Sequence, residues 1–155
     1  RDLHSFPTRR SSDLDLTVLW FTFRYRKNKE LETLRMHEES LRLQSDNERM
    51  TQEASENLLR RVSYIYRNHE EDTYRHILAE FNSVYPQAIR NLKADYPDLN
   101  DTELDICVLS YFPFRMKEIA DILDLRENTV SKYRTSIKKK TQTETIEGLW
   151  EPFID

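Results

Sequence analysis

The stretch MKEIADILDLRENTVSKYRTSIKKK, residues 116–140, decides the fold of this chain. Apolar residues recur in it at helical spacing in two short runs, Ile119, Ala120 and Leu123, then Val130, Tyr133 and Ile137. Between the runs, DLRE (124–127) predicts a turn, and Leu125 is available to fill the core. Ala120 is small at a position where a second helix would cross closely. The stretch therefore predicts two short helices joined by a tight turn.

The second helix of this pair has a polar face opposite its apolar one. Small polar groups near a helix start can reach base edges in the major groove, and lysines can neutralise phosphates. The pattern predicts base reading by Asn128, Ser131, Lys132 and Thr135. It predicts phosphate contacts by Lys117, Thr129, Arg134, Lys138, Lys139 and Lys140. A lysine run alone usually marks a solvated surface, but the two-helix spacing favours binding of double-stranded DNA.

Charge is distributed unevenly along the chain. The net charge is −4, which by itself argues against general nucleic-acid binding. Residues 127–140 nevertheless hold five basic side chains and one acidic side chain, so the acidic excess lies elsewhere. Attraction to phosphate is then confined to one face, as selective binding requires.

A strong helix start lies upstream, in LNDTEL (99–104). Asn100 can accept from the third backbone amide while Glu103 reaches back, which is a capping box. Leu99 and Leu104 stand in the positions of a hydrophobic staple. The helix that follows is expected to bury Leu104, Cys107, Val108 and Tyr111. A compact domain is therefore expected from residue 98 onward.

LNDTELDICVL and KEIADILDLRENTVSKYRTSIKKK together resemble the LuxR/GerE-type helix-turn-helix. The family's pattern is matched by Glu103, Lys117-Glu118-Ile119-Ala120, Leu123, Thr129-Val130, Ile137 and Lys140. The resemblance covers about residues 99–154. It implies a four-helix DNA-binding domain over residues 98–155, with TETIEGLWEPFI supplying the fourth helix. It also implies a working homodimer, paired through the fourth helix or the preceding helices.

The chain departs from the family's pattern at three places. Phe112-Pro113-Phe114-Arg115 stands where the family usually has a glycine and a serine cap. Arg126 replaces the usual Ser or Thr cap of the recognition helix, and Thr141 stands where leucine is expected. A sigma-factor-like helix-turn-helix is the alternative within the same fold class.

Composition predicts an all-α chain and excludes several kinds of chemistry. Leu, Glu, Arg and Lys are abundant, while glycine occurs once, at Gly148. Phosphate-binding loops, dinucleotide fingerprints and nucleophile elbows need several glycines. The single cysteine, Cys107, is expected to pack as a small hydrophobe. We therefore expect no enzyme activity, cofactor, metal or small-molecule substrate.

Residues 28–97 are expected to form a helical stalk. Leu31, Leu34, Leu41 and Leu43 give a partial stripe in a highly charged run, and the heptad then fails. A solvated single helix and a weak two-stranded coiled coil remain equally good interpretations. The stripe becomes regular over Met50, Ala54, Leu58, Val62 and Ile65. Pro86 and Pro97 predict helix boundaries.

The segment LDLTVLWFTFRY (14–25) is the most apolar in the chain, and four basic residues follow within RYRKNK (24–29). It is shorter than the ~20 residues that cross a bilayer. Aromatic residues followed by cations are typical of the cytoplasmic flank of a membrane helix. Residues 15–27 are interpreted as the remnant of a transmembrane helix and its basic flank; the alternative is an ordinary buried helix.

The first fourteen residues, RDLHSFPTRRSSDL, match the translation of a widely used synthetic sequencing adapter. They have neither helical nor strand periodicity. Residues 1–14 are therefore interpreted as non-native, with natural sequence missing upstream.

The whole layout resembles membrane-bound bacterial transcription regulators. The resemblance implies a sequence-specific regulator at the cytoplasmic side of the inner membrane, anchored through a missing upstream helix. The alternative is a helical interaction or signalling module without DNA binding, similar to a sensor-kinase stalk. His69 beside Glu70 is its candidate phosphoacceptor, although the ATP-binding domain of a kinase is absent, and we expect His69 to remain unphosphorylated.

Overall fold

The computed structural model describes residues 9–68 and 71–154, with side chains from residue 13 onward. The chain divides into two units, Arg1–Met50 and Thr51–Asp155. Six α-helices and one 3-10 helix cover most of the described residues: α1 Arg9–Arg67, α2 Thr73–Val84, α3 Ala88–Asp95, α4 Asp101–Tyr111, α5 Met116–Leu123, α6 Glu127–Thr141 and the 3-10 helix Glu147–Phe153. No strand occurs among these residues, and the predicted all-α class is confirmed.

In the unit Arg1–Met50 the described residues form the first part of α1, and every described side chain is exposed. Residues 1–8 of the adapter-like segment lie outside the described residues, and residues 9–14 belong to α1. Leu31, Leu34 and Leu41 are exposed, as they would be in a solvated helix and in one chain of a coiled coil alike. No helix in the described part of the chain has the length and hydropathy needed to cross a bilayer.

The unit Thr51–Asp155 has one hydrophobic core, to which the end of α1 contributes. Leu58, Val62 and Ile65 are buried in it, as the predicted stripe requires, whereas Met50 at the start of that stripe is exposed. Residues from α1, α2 and α3 belong to the same core as residues from α4 to α6. The packed unit therefore begins near residue 51, and residues 98–155 form part of it; the DNA-binding domain predicted for 98–155 stays a prediction.

Two short helices follow α1 and end where the prolines predict. α2 ends at Val84, before Pro86, and α3 ends at Asp95, before Pro97. Ile77 and Phe81 of α2 are buried. The Phe81 ring lies 5.0 Å from the Trp150 ring and 5.4 Å from the Tyr111 ring, centroid to centroid. An aromatic cluster therefore joins α2 to the later helices.

α4 is the central helix of the packed unit. The predicted capping box is present: Asn100 Oδ1 accepts from the Glu103 amide at 2.8 Å, and Glu103 Oε2 accepts from the Asn100 amide at 3.0 Å. Leu104, Cys107 and Val108 are buried as predicted, and Tyr111 is half-buried. Ile106 and Leu109 on the other sides of the helix are also fully buried. α4 is therefore surrounded by packed elements, which its single predicted apolar face did not indicate.

The fourth helix expected from TETIEGLWEPFI is a 3-10 helix, Glu147–Phe153, rather than an α-helix. Pro152 lies inside it and has no amide hydrogen, which disfavours a longer α-helix. Ile146, Leu149 and Trp150 are buried as their apolar pattern suggests. The Trp150 indole N–H donates to the Cys107 carbonyl at 2.7 Å, which fixes this element against α4.

Candidate nucleic-acid interface

α5 ends in a tight turn that contains no glycine. Asp124 has φ of 53°, in the left-handed region. The Leu125 amide donates to the Ala120 carbonyl at 2.9 Å, and the Asp124 amide donates to the Asp121 carbonyl at 3.4 Å. These two bonds form a Schellman motif, in which aspartate takes the position that glycine favours. The predicted two-helix turn is therefore present, and it fixes where α6 begins relative to α5.

The turn before α5, Phe112-Pro113-Phe114-Arg115, is stabilised by a side chain of α5. The Glu118 carboxylate accepts from the Arg115 amide at 2.9 Å, which is the returning half of a capping box. The Phe114 amide donates to the Phe112 carbonyl at 2.8 Å. Glu118 therefore satisfies the Arg115 amide, but the bond that a serine side chain would accept from the Glu118 amide has no equivalent from Arg115. Arg126 precedes α6, and among the described residues no side chain caps that helix.

α6 has two distinct faces. Val130 and Ile137 are fully buried and Tyr133 is half-buried, which confirms the predicted apolar stripe. The exposed residues recur at spacings of three and four along the opposite face: Asn128, Ser131, Lys132, Thr135, Lys138 and Lys139. All four predicted base-reading residues therefore share one solvent-facing surface with two of the predicted phosphate contacts.

The remaining predicted phosphate contacts are distributed around this surface. Lys117 is exposed on α5, and Thr129 is half-buried in the first turn of α6.

The Thr135 hydroxyl, predicted to read bases, donates to the Ser131 carbonyl at 3.1 Å, so this donor is already used within α6. Thr135 can still offer its hydroxyl oxygen as an acceptor and its methyl group as an apolar contact.

Lys140 is an exposed residue whose ammonium is bound to other groups of the protein. Its ammonium donates to both carboxylate oxygens of Glu103, at 3.0 and 2.8 Å, and to the Asp98 carbonyl at 3.0 Å. An ammonium has three hydrogens, and these three acceptors can use all of them. Lys140 therefore fastens the end of α6 to the start of α4, and its predicted phosphate contact stays a prediction that competes with these three hydrogen bonds.

Glu103, the partner of Lys140, is a buried carboxylate with a complete set of donors. Besides Lys140, it accepts from the Ser136 hydroxyl at 2.8 Å and from the Asn100 amide. Burial alone would raise the pKa of this carboxyl. The hydrogen bonds from Lys140, Asn100 and Ser136 outweigh that effect and hold its pKa below the ordinary value. Glu103 therefore stays ionised and joins α4 to α6.

Arg134 is also paired within the protein. Its guanidinium donates to Glu147 Oε1 at 2.7 Å and to the Ser110 hydroxyl at 3.3 Å. The hydrogen bond from Arg134 is the main reason that the pKa of Glu147 is lowered. Arg134 therefore connects α6 to α4 and to the 3-10 helix, and its predicted phosphate contact stays a prediction that competes with these two hydrogen bonds.

Sequence reasoning did not single out Ser110, Ser136 or Glu147. The partners of these residues lie on other helices, so no local spacing marks them. One weak signal was present, since Ser136 and Lys140 are four residues apart and therefore share a side of α6.

Among the residues that the structure describes, the other reactive groups form no evident site. Burial raises the pKa of the Cys107 thiol to about 12, in keeping with a packed hydrophobe. In the described ranges, no cluster of His, Cys, Asp and Glu side chains has a metal-binding arrangement. His69, the candidate phosphoacceptor, lies outside the described residues.

Comparison of the chain with protein-family models, with curated proteins and with solved structures found no match.

Proposed function

We propose that this protein is a sequence-specific DNA-binding transcription regulator that inserts α6 into the major groove. The observation that carries the proposal is the face of α6 defined above, where small polar side chains come first and lysines follow. Asn128, Ser131, Lys132 and Thr135 are the base-reading residues of this proposal. Lys138 and Lys139, with Lys117 and Thr129, are its phosphate contacts.

The internal ion pairs support this assignment, because they leave a smaller and better-directed positive surface. Lys140 and Arg134 are paired with Glu103 and Glu147. A helix held at several points keeps its base-reading side chains in one orientation, and this reduces the entropy lost on binding. Specificity then rests on a rigid helix rather than on net charge, which is negative for the whole chain.

We further propose that the protein binds as a homodimer. A single helix-turn-helix offers few phosphate contacts, and two-fold sites are bound by paired domains. Leu149 and Trp150 of the last element, with Ile146 just before it, are buried in the protein's own core. Pairing through that element must therefore use its exposed side, and the exposed leucines of α1 are the second surface. Sedimentation should show dimers on palindromic DNA; strictly monomeric complexes would contradict this.

We place the DNA-binding unit on the cytoplasmic side of a bacterial inner membrane, with attachment through the N-terminal side of the chain. Exposed aliphatic and aromatic residues followed by cations in α1 support this placement.

The test separates base reading from charge attraction. Sites are selected from random duplex DNA, and affinities for the selected and a scrambled site are measured across salt concentrations. Lys132→Ala should cost about 1–3 kcal/mol on the selected site and relax the choice of one base pair. Lys138→Ala or Lys139→Ala should weaken both DNAs alike and lower the salt slope by about one unit.

Two outcomes would count against the proposal. If Lys132→Ala lowers both affinities equally, α6 is an electrostatic surface only. If the wild type shows no salt-dependent binding to any duplex, a protein-interaction module is the better conclusion. A groove between α2, α3 and α4, with Leu78, Ile89, Leu104 and Val108 in its lining, is the observation that favours this second candidate.

A further inference from the structure

We infer that the aromatic–basic segment of α1, residues 14–29, binds directly to membrane surfaces rich in anionic lipid. This inference rests in part on the membrane placement proposed above, to which it gives a specific partner. It is independent of DNA binding, since none of its residues lies in α6.

The first observation is the exposure of large apolar side chains in the aromatic–basic segment. Eight of them have 51–66% of their surface exposed: Leu14, Leu16, Val18, Leu19, Trp20, Phe21, Phe23 and Tyr25. A contiguous apolar surface of this kind marks an interaction site. At about 3.6 residues per turn, these positions fall on two opposite faces of the helix, with Asp15, Thr17, Thr22 and Arg24 between the faces.

The presence of two opposite apolar faces limits what can cover them. A partner helix in a two-stranded coiled coil covers a single stripe and would leave the opposite face in water. Lipid chains can cover both faces of the helix, whereas one second copy of the chain cannot.

Charge complementarity selects the kind of lipid. Arg24, Arg26, Lys27 and Lys29 follow the apolar run, and no acidic residue lies among them. Three of these cations lie over aromatic rings one turn earlier: Arg24 over Trp20 at 4.9 Å, Lys27 over Phe23 at 5.5 Å and Lys29 over Tyr25 at 5.2 Å. The stacking places aromatic rings beside the cations, as at a membrane–water boundary. Anionic headgroups are the matching partners.

Length limits how the segment enters the bilayer. From Leu14 to Tyr25 the helix is about 18 Å long at about 1.5 Å per residue. The hydrocarbon core is about 30 Å thick. The segment therefore binds from one side without spanning the core, and its affinity depends on both the apolar contact and the headgroup charge.

The experiment measures vesicle binding of the whole chain by flotation. Vesicles of phosphatidylcholine alone are compared with vesicles containing about one-third phosphatidylglycerol, at low and high salt. Binding should need the anionic lipid and weaken as salt screens the charges. Replacing Arg24, Arg26, Lys27 and Lys29 together by Gln should reduce partitioning on the order of a hundredfold or more. The matched control is Arg35→Gln with Arg42→Gln, which removes exposed cations of α1 outside the segment and should have a small effect.

Apolar contact is tested separately. The triple substitution Trp20→Ser, Phe21→Ser and Phe23→Ser should abolish vesicle binding, while Leu31→Ser, Leu34→Ser and Leu41→Ser should not. Trp20 also serves as a probe, because Trp150 is buried already. Tryptophan emission should therefore shift to the blue on binding, and brominated lipid should quench it.

Three outcomes would overturn the inference. One is the absence of binding to either vesicle type. Another is equal binding to both lipid compositions, which would retain membrane contact but remove the selectivity for anionic lipid. The third is self-association, without vesicle binding, that the aromatic substitutions abolish. Each leaves the DNA-binding proposal intact, since DNA affinity is measured on the α6 variants.

Discussion

The two units of this chain use the same secondary structure in opposite ways. In Arg1–Met50 the helical side chains are exposed, including every large apolar one that the structure describes. In Thr51–Asp155 the helices bury a continuous core that includes Trp150, Phe81 and Leu58. α1 contributes residues to both units, so helix formation alone does not determine whether a side chain is buried. Tertiary packing, which stabilises most helices in proteins, is present in only one of the units.

The contrast also separates two kinds of interaction surface. In the first unit an apolar surface is left exposed, which favours a lipid or protein partner. In the packed unit most large apolar side chains are buried or half-buried, although Tyr64 is exposed, and the proposed partner surface is the polar, positively charged face of α6. Replacing a large apolar residue should therefore destabilise the fold in Thr51–Asp155 and weaken association with a partner in Arg1–Met50.

The largest expected effect tests this contrast with the two tryptophans of the chain. Trp150 is 1% exposed and Trp20 is 51% exposed. Trp150→Ala should lower the unfolding free energy by about 3–5 kcal/mol, because it leaves a cavity beside Phe81 and removes the hydrogen bond to Cys107. Trp20→Ala should change it by less than about 0.5 kcal/mol. Urea unfolding followed by circular dichroism measures both, and similar losses in the two variants would refute the contrast.

A second pair of substitutions compares adjacent lysines of α6. Lys140→Met leaves the buried Glu103 carboxylate without its cation, and we expect a loss of about 2 kcal/mol, less than for a fully buried pair. Lys139→Met removes an exposed lysine and should change stability by less than about 0.5 kcal/mol. The effects on DNA binding should be reversed, because only Lys139→Met is expected to lower the dependence of DNA affinity on salt concentration. A lower slope for Lys140→Met would show that Lys140 does contact phosphate.

The contribution of Glu103 to stability can be measured by following the unfolding free energy as a function of pH. Its pKa is lower in the folded protein than its ordinary value of 4.5, so its ionised form favours folding. This contribution is fully present above that value and is lost as the pH falls through the lower, folded-state pKa. Between pH 7 and pH 3, Glu103→Gln should therefore lose less stability than the wild type, starting from a lower value. Parallel curves would mean that Glu103 does not carry this dependence.

The smallest effect concerns the turn between α5 and α6. Asp124 adopts a left-handed conformation, which glycine adopts without steric cost. Asp124→Gly should therefore stabilise the protein by about 0.5–1 kcal/mol. The same change at Asp121, exposed inside α5, should destabilise it by about 1 kcal/mol, since glycine disfavours a helix interior. Thermal unfolding of the two variants should shift in opposite directions.

Much of the packed unit was predictable because its signals are local. The capping box at Asn100 and Glu103 needs residues only three apart, and both of its hydrogen bonds are present. The stripe of Val130 and Ile137 follows from helical periodicity alone. Such signals specify where a helix begins and which side is apolar, but they do not specify how many neighbours surround it. α4 was therefore predicted with one buried face, whereas Ile106 and Leu109 are buried as well.

The sequence by itself determined the all-helical class, the position of the turn between α5 and α6 and the polar face of α6, because these depend on composition and short-range periodicity. Only the tertiary structure decided which cations are left for a partner. Lys139 and Lys140 are adjacent and chemically identical, but successive residues of a helix point about 100° apart. Lys140 consequently meets Glu103, 37 residues away in sequence, while Lys139 remains exposed. A partner at that distance leaves no mark in the local pattern, since folding alone brings the two side chains together.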